Sequence, residues 1–320
     1  MAVDRQVLQW PAVIATTLRL WLVRRKEALS GLSWRRWAVA LAVTSLVIGV
    51  AVAIRAHAGG PEPSARHQTA QDSGMAAGRT AALWVARQVS RDAMVACDPG
   101  MCRALREQGF PAGNLLMLGS STAGLGYCDL VMATQAVRDL VGARLQHQDA
   151  PAVIASFGSG AERIDVRAIA PHGAGAYRAA LAADWAARRT AAAELVKSPR
   201  IQANGAARLD LLAGKVDSRL LITLAALAAA YPVKVVAFGD PGPGASAGVP
   251  MREMELAGTG RSANRRSELR RIRSFVLAQR AAFQPARVSV AGLAAGGTAL
   301  LIAFGAPSPL GLLHGRPGAQ

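Results

Sequence analysis

Apolar positions along this chain are arranged in three ways, and each predicts a different element. The first arrangement is an unbroken block. Residues 37–54, WAVALAVTSLVIGVAVAI, carry no charge. As a helix they reach about 27 Å, close to the hydrocarbon thickness of a bilayer. Trp34 and Trp37 stand at one end, where indoles favour the interface, and Arg55 stands at the other. Arg5, Arg19, Arg24, Arg25, Lys26, Arg35 and Arg36 precede the block, against only Asp4 and Glu27. The positive-inside rule therefore predicts a cytoplasmic N-terminal segment over 1–36, one span over 37–54 and export of the rest. A cleaved signal peptide is the rival reading, and both the leader and the apolar run are long for one. Within the leader, 8–26 is apolar with a basic end; an interfacial helix and a partly ordered tail both fit it.

The second arrangement is a series of short, continuous apolar runs separated by helical patterns. Residues 55–79 are small, polar and broken by Gly and Pro, which predicts a linker. Order is expected from residue 80, where Leu83, Trp84 and Val89 mark a helix face. Strands are then expected over 93–97, 114–119, 128–134 and 152–158, with helices over 99–110 and 135–142. Buried strands alternating with helices predict a mostly parallel sheet covered on both faces. A long Ala-rich helix over 174–197, helices over 205–214 and 217–230 (Asp217 as N-cap) and a strand from 233 follow.

The third arrangement is strict alternation. In RIDVRAIA, 163–170, Ile164, Val166 and Ala168 point one way and Arg163, Asp165 and Arg167 the other, which predicts an edge or half-exposed antiparallel strand. The preceding FGSG then joins two hairpin strands, and no helix follows to offer its N-terminus to a phosphate. Residues 233–258 repeat this design, with AFG at 237–239 in the place of SFG at 156–158 and a glycine-rich loop between. Two related α/β units are therefore expected, over 80–172 and 173–292, with an apolar tail over 293–320; convergent hairpin chemistry explains the likeness equally well. Residues 288–306 hold no charge and fit either a last strand or a second membrane helix. The expected fold class is α/β: a transmembrane helix followed by an exported mixed-sheet region.

Composition narrows the partners. The 320 residues are 52% hydrophobic, enough for a sizeable core, and the formal net charge is +17. Such a charge favours phospholipid, acidic polymer or nucleic acid; export excludes nucleic acid and leaves membrane lipid and wall polymer. The cysteines agree with export. Cys97 and Cys102 bracket the turn-forming DPGM, so a disulfide is expected, while Cys128 is left over and buried. Metal binding would need further ligands nearby.

No phosphate-binding, zinc-protease or serine-hydrolase signature occurs. His57, His67, His147, His172 and His314 are dispersed, so neither a metal centre nor a cofactor is expected. Asp98 and Asp240 each follow an apolar strand, the edge where open α/β sheets place ligands. Each also precedes a proline and reads equally as a turn or helix cap. Glu162 and Asp165 could pair as carboxylates, but a solvated hairpin with Arg163 and Arg167 as partners is the simpler expectation. Finally, 262–283 is a basic amphipathic helix with Leu269, Ile272, Val276 and Phe283 on one stripe. Arg265, Arg266, Arg270, Arg271 and Arg273 crowd this short segment with Glu268 as the only acid among them; they are candidate anion contacts or a merely solvated face.

The stretches LWVARQVSRDAMVACD, CDLVMATQAVR and VIASFGSGAERIDVR, within 82–170, resemble the soluble exported domain that ends many multi-spanning bacterial glycosyltransferases of the protein-mannosyltransferase-like type. The resemblance covers about a quarter of the chain. The catalytic membrane part of that family has no counterpart here, so its acidic catalytic residues map onto no position. The resemblance implies an accessory domain of envelope glycan assembly. The expectation is a membrane-anchored, exported, non-catalytic binding or scaffold protein working with an envelope polymer or a glycosyltransferase. The alternatives are a glycan hydrolase or transferase using Asp98 or Asp240, and a membrane-protein partner that assembles through 37–54.

Overall fold

Short apolar runs and the helices between them resolve into two mixed five-stranded sheets. The structure is a computed structural model and describes residues 63–239, 241–260, 262–292 and 297–313. The expected span over 37–54, the basic leader and Asp240 lie outside these. Among the described residues no helix is long and apolar enough to cross a membrane. Contacts group the chain into Val23–Ser73 and the remainder; both sheets belong to the remainder.

The first sheet takes β1 (Val95–Cys97), β2 (Leu115–Met117), β3 (Leu130–Ala133), β4 (Ala152–Phe157) and β5 (Ile164–Ala168). Their order is β2-β1-β3-β5-β4. The first three are mutually parallel, and β5 runs antiparallel to both β3 and β4. Helices α1 (Pro63–Gln88) and α2 (Pro99–Glu107) bring Ala81, Val85, Met101 and Leu105 to one face. Helix α3 (Gln135–Val141) and the segment after it bring Val137 and Leu145 to the other. Helix α1 begins inside the segment whose composition reads as a linker. Gly74 makes room rather than breaks it: a Cβ there would stand 2.1 Å from a Glu162 carboxylate oxygen.

Covering both faces corrects the expectation for β5. It is an interior strand, and all five of its residues are buried. Asp165 and Arg167 are 6% and 8% exposed. The polar face of β5 is thus dry, and its charges satisfy one another. Asp165 accepts from Arg163 Nε at 2.7 Å, Arg167 Nη1 at 3.2 Å and Ser156 Oγ at 2.7 Å. Arg167 Nε donates to the Ala150 carbonyl. The partners are those the sequence suggests; the solvent is not there.

The second sheet takes β6 (Ile201–Ala203), β7 (Val233–Phe238), β8 (Glu253–Ala257), β9 (Arg287–Gly292) and β10 (Thr298–Ala303), in the order β6-β7-β8-β10-β9. Only β6 and β7 are parallel. Residues 287–292 and 298–303 are therefore an antiparallel strand pair with β10 interior to the sheet, not a membrane helix, and 298–303 do not belong to a tail. Helices α4 (Gly173–Leu195), α5 (Gly205–Leu212), α6 (Ser218–Ala230) and α7 (Ser262–Leu277) complete this half. Leu220, Leu224 and Leu227 of α6, with Leu269, Ile272 and Val276 of α7, share a core with Val235, Met254, Leu256 and Ile302 of the sheet.

Hairpins β4–β5 and β7–β8 are alike in pairing, and each carries a bulge, at residue 154 and at residue 236. The bulges fall three and two residues before Phe157 and Phe238, so the two Phe-Gly motifs are out of step by one. In the first sheet β4 is the edge, whereas β7 is flanked by β6.

The glycine-rich loop after β7 closes that edge. Ser156 N–H donates to the Pro243 carbonyl at 2.6 Å, and Ser246 N–H donates to the Val153 carbonyl at 2.8 Å. The Ser246 hydroxyl accepts from Val153 N–H at 2.9 Å. An unpaired strand edge is a site for unwanted pairing; here another loop of the same chain occupies it. The loop can approach only because it lacks side chains. A Cβ at Gly242, where φ is +150°, would stand 2.6 Å from the Ile154 carbonyl oxygen. The two halves are stitched again where Val89 bridges Ala306, and where Ser90 N–H donates to the Ala306 carbonyl at 2.8 Å.

Candidate binding surfaces

Three places could meet a ligand. The first is at the carboxyl ends of β1 and β3, where the strand order reverses, β2 and β3 lying on opposite sides of β1. Open α/β sheets bind ligands at such points. Asp98 sits there, but its carboxylate is committed. Oδ1 accepts from the N–H groups of Gly100 and Met101 at 2.9 and 3.1 Å, which caps α2. Oδ2 accepts from Thr134 Oγ1 at 2.6 Å, and Thr134 in turn caps α3. Both helix N-termini are thereby satisfied. The cleft beside them measures about 280 Å³ and is bounded by Glu162 and Arg163. Of the two Asp98 readings, the geometry displays the cap. Cys97 at the end of β1 and Cys102 in α2 are joined by a disulfide with a Cα separation of 5.4 Å. Cys128 is free and buried, and burial followed by the nearby Asp129 pushes its thiol up to about 11.

The second place is the outer face of α7. Leu269, Ile272 and Val276 are buried, so the opposite face is turned to solvent. Arg266, Arg270, Arg271 and Arg273 are exposed around that side, while Arg265, also exposed, starts the same stripe as Leu269 and Ile272 and passes over Gly258. Among the described residues none of them forms an ion pair. Glu268, which could neutralise them, is drawn away to the preceding turn: its carboxylate accepts from Thr259 N–H at 2.9 Å, Thr259 Oγ1 at 2.8 Å and Gly260 N–H at 3.2 Å. Arg270 and Arg271 border a shallow depression of about 590 Å³ with Tyr231 and Phe275.

The third place, which sequence reasoning missed, is a groove of about 760 Å³ at the seam of the two halves. Arg87, Arg91, Arg219 and Arg287 line it, with Asp92 as its acid. Its floor is a buried ion pair. Asp217 is fully buried and accepts from Arg219 Nε at 3.0 Å and Arg219 Nη2 at 2.7 Å. Arg219 Nη2 also donates to the Gly305 carbonyl, and its guanidinium lies 5.0 Å from the Phe304 ring centre. Burial pushes the Asp217 carboxyl up, but the hydrogen bonds and charge of Arg219 outweigh it and hold it below the usual range. Asp217 caps α6 as its position before Ser218 predicts, accepting from Arg219 N–H. A second buried pair, Asp184 with Arg188, ties α4 to the Gly214 and Gly248 carbonyls. Its i,i+4 spacing in an Ala-rich helix was the available sequence signal.

Among the described residues no group of His, Cys, Asp or Glu is arranged to hold a metal ion. No protein-family model, curated protein or solved structure matches the chain.

Proposed function

We propose that this chain is a membrane-anchored, exported, non-catalytic binding protein of the bacterial cell envelope, and that α7 is the face it presents to phosphate-bearing lipid or wall polymer. The observation that carries the reading is the unpaired arginine face, with Glu268 engaged elsewhere. An arginine cluster kept free of acids is suited to phosphate, because each planar fork can donate two parallel hydrogen bonds. Single contacts of this kind are worth about 1 kcal/mol at best and are screened beyond about 8 Å. Five of them on a protein already confined by residues 37–54 suffice to hold it flat. The Cys97–Cys102 bridge is in keeping with an oxidising compartment. The resemblance of 82–170 to the exported domain of mannosyltransferase-like enzymes makes glycan assembly the setting.

Full-length protein in zwitterionic nanodiscs tests this against anionic vesicles and, separately, isolated wall polymer. Binding should be strong at low salt, weaken at high salt, and fall when all five arginines become glutamine. A glutamine variant that binds as well as the parent would refute it. Reporter fusions after residue 80 should show export; cytoplasmic activity there would overturn the anchored topology. The catalytic alternative at Asp98 has less support, since both carboxylate oxygens serve the two helix caps.

A further inference from the structure

Arg252, in the residue before β8, is the least satisfied polar side chain among the described residues. It is 2% exposed, yet its Nε and Nη1 have no hydrogen-bond acceptor. Its one recorded bond runs from Nη2 to the Pro241 carbonyl at 2.9 Å. A guanidinium carries five N–H donors, so most of them are unmet. Buried donors are nearly always paired, and an orphan on a charged group is costly. Burial, against the pull of Asp217, brings this guanidinium down to about 10.

Arg252 borders a cleft of about 430 Å³ that is separate from the α7 face. The size is that of a small-ligand site. Trp84 forms one wall, with the Arg252 guanidinium carbon 5.8 Å from its ring centre. Gln88 and Glu253 supply planar polar groups on another side. The third side is formed by Pro241, Gly242 and Pro243. Glu253 does not cancel the arginine, because its carboxylate is already held by Arg287 Nη2 at 2.6 Å and by Gln88 Nε2 at 3.2 Å. Among the described residues the Arg252, Glu253 and Arg287 trio thus leaves one net positive charge, and the Asp217–Arg219 pair behind it leaves none.

We propose that this cleft binds a monosaccharide-sized sugar acid, its carboxylate on Arg252, its apolar ring face on Trp84 and its hydroxyls on Gln88 and Glu253. An indole face beside planar amide and carboxylate groups matches a pyranose, which has one C–H face and a rim of hydroxyls. The single net charge matches one carboxylate. The Pro241 carbonyl occupies an acceptor position that the ligand's carboxylate oxygen takes over or shares. The site is independent of the α7 reading, and either can fail alone.

Calorimetric titration of the full-length protein in zwitterionic nanodiscs tests the assignment with glucuronate, glucose, acetate and glucose 6-phosphate. Glucuronate should bind with a Kd of about 1 mM. Glucose and acetate, each lacking half of the recognised chemistry, should bind about tenfold more weakly. Arg252→Lys keeps the charge but loses the fork and should weaken glucuronate binding about tenfold. Because that position is buried, Gln88→Ala at the rim serves as the second variant, with melting temperature checked for both; it should weaken glucuronate about fivefold without changing acetate. Acetate binding as tightly as glucuronate would reduce the cleft to a bare anion site and overturn the sugar. Tighter glucose 6-phosphate would overturn the carboxylate. No binding by any of the four, or binding unchanged in Gln88→Ala, would overturn the site.

Discussion

The Asp217–Arg219 pair allows a quantitative test of what holds the seam together. Asp217 is 0% exposed and the Arg219 side chain is 8% exposed. Removing one member of such a pair strands the other charge in a dry site, which costs about 3–5 kcal/mol. Arg219→Met does this to the carboxylate, and also breaks the bond to the Gly305 carbonyl and the contact with Phe304. Its cost should sit at the upper end, about 5 kcal/mol. Asp217→Asn keeps an oxygen to accept from Arg219 N–H, so the α6 cap survives. It strands a guanidinium that borders the groove and can reach water, so about 2–3 kcal/mol is expected. The double variant leaves no unpaired charge. Its cost should be near that of Asp217→Asn alone, which puts the coupling energy at the cost of Arg219→Met, roughly 5 kcal/mol. Urea denaturation followed by tryptophan fluorescence measures all three variants against the parent. Costs that simply add, or single variants within about 0.5 kcal/mol of the parent, would show that the pair is solvated and that the seam does not depend on it.

Three further outcomes follow from the same geometry. The Asp217 carboxyl is held below its ordinary 3.8, so its contribution is present above that pH and lost as pH falls through the lowered folded value; the stability gap between parent and Asp217→Asn should close in acid. Reducing the Cys97–Cys102 bridge, which spans a sequence separation of 5, should lower stability by about 2 kcal/mol on loop entropy, read as a drop in melting temperature with reductant that a doubly serine-substituted variant does not show. Gly242→Ala places a methyl 2.6 Å from the Ile154 carbonyl oxygen, so it should cost about 1–3 kcal/mol and speed hydrogen exchange at the Ser156 amide; unchanged exchange there would mean that the loop does not seal the β4 edge.

Local chemistry carried much of this protein. Apolar runs of strand length, separated by capped helices, specify an α/β chain, because each run must bury its residues and each cap satisfies N–H groups within a few residues. The Asp98 and Asp217 caps and the Cys97–Cys102 bridge are of this local kind, with partners close in sequence, and the spacing of the α7 stripe is local even though the core it packs into is not. Tertiary structure decided the rest. Alternation in β5 says only that two faces differ in polarity; whether the polar face is wet depends on Ala150 and the segment after α3, which cover it from elsewhere in the chain. The loop at 239–248 has the glycines of a ligand loop, yet its partner is the edge of β4, more than eighty residues earlier. Arg252 and Arg219 look like any other arginines in a basic sequence. Their burial arises from the meeting of α1, the 241–243 loop and the end of β10, a contact among distant segments that no local pattern encodes.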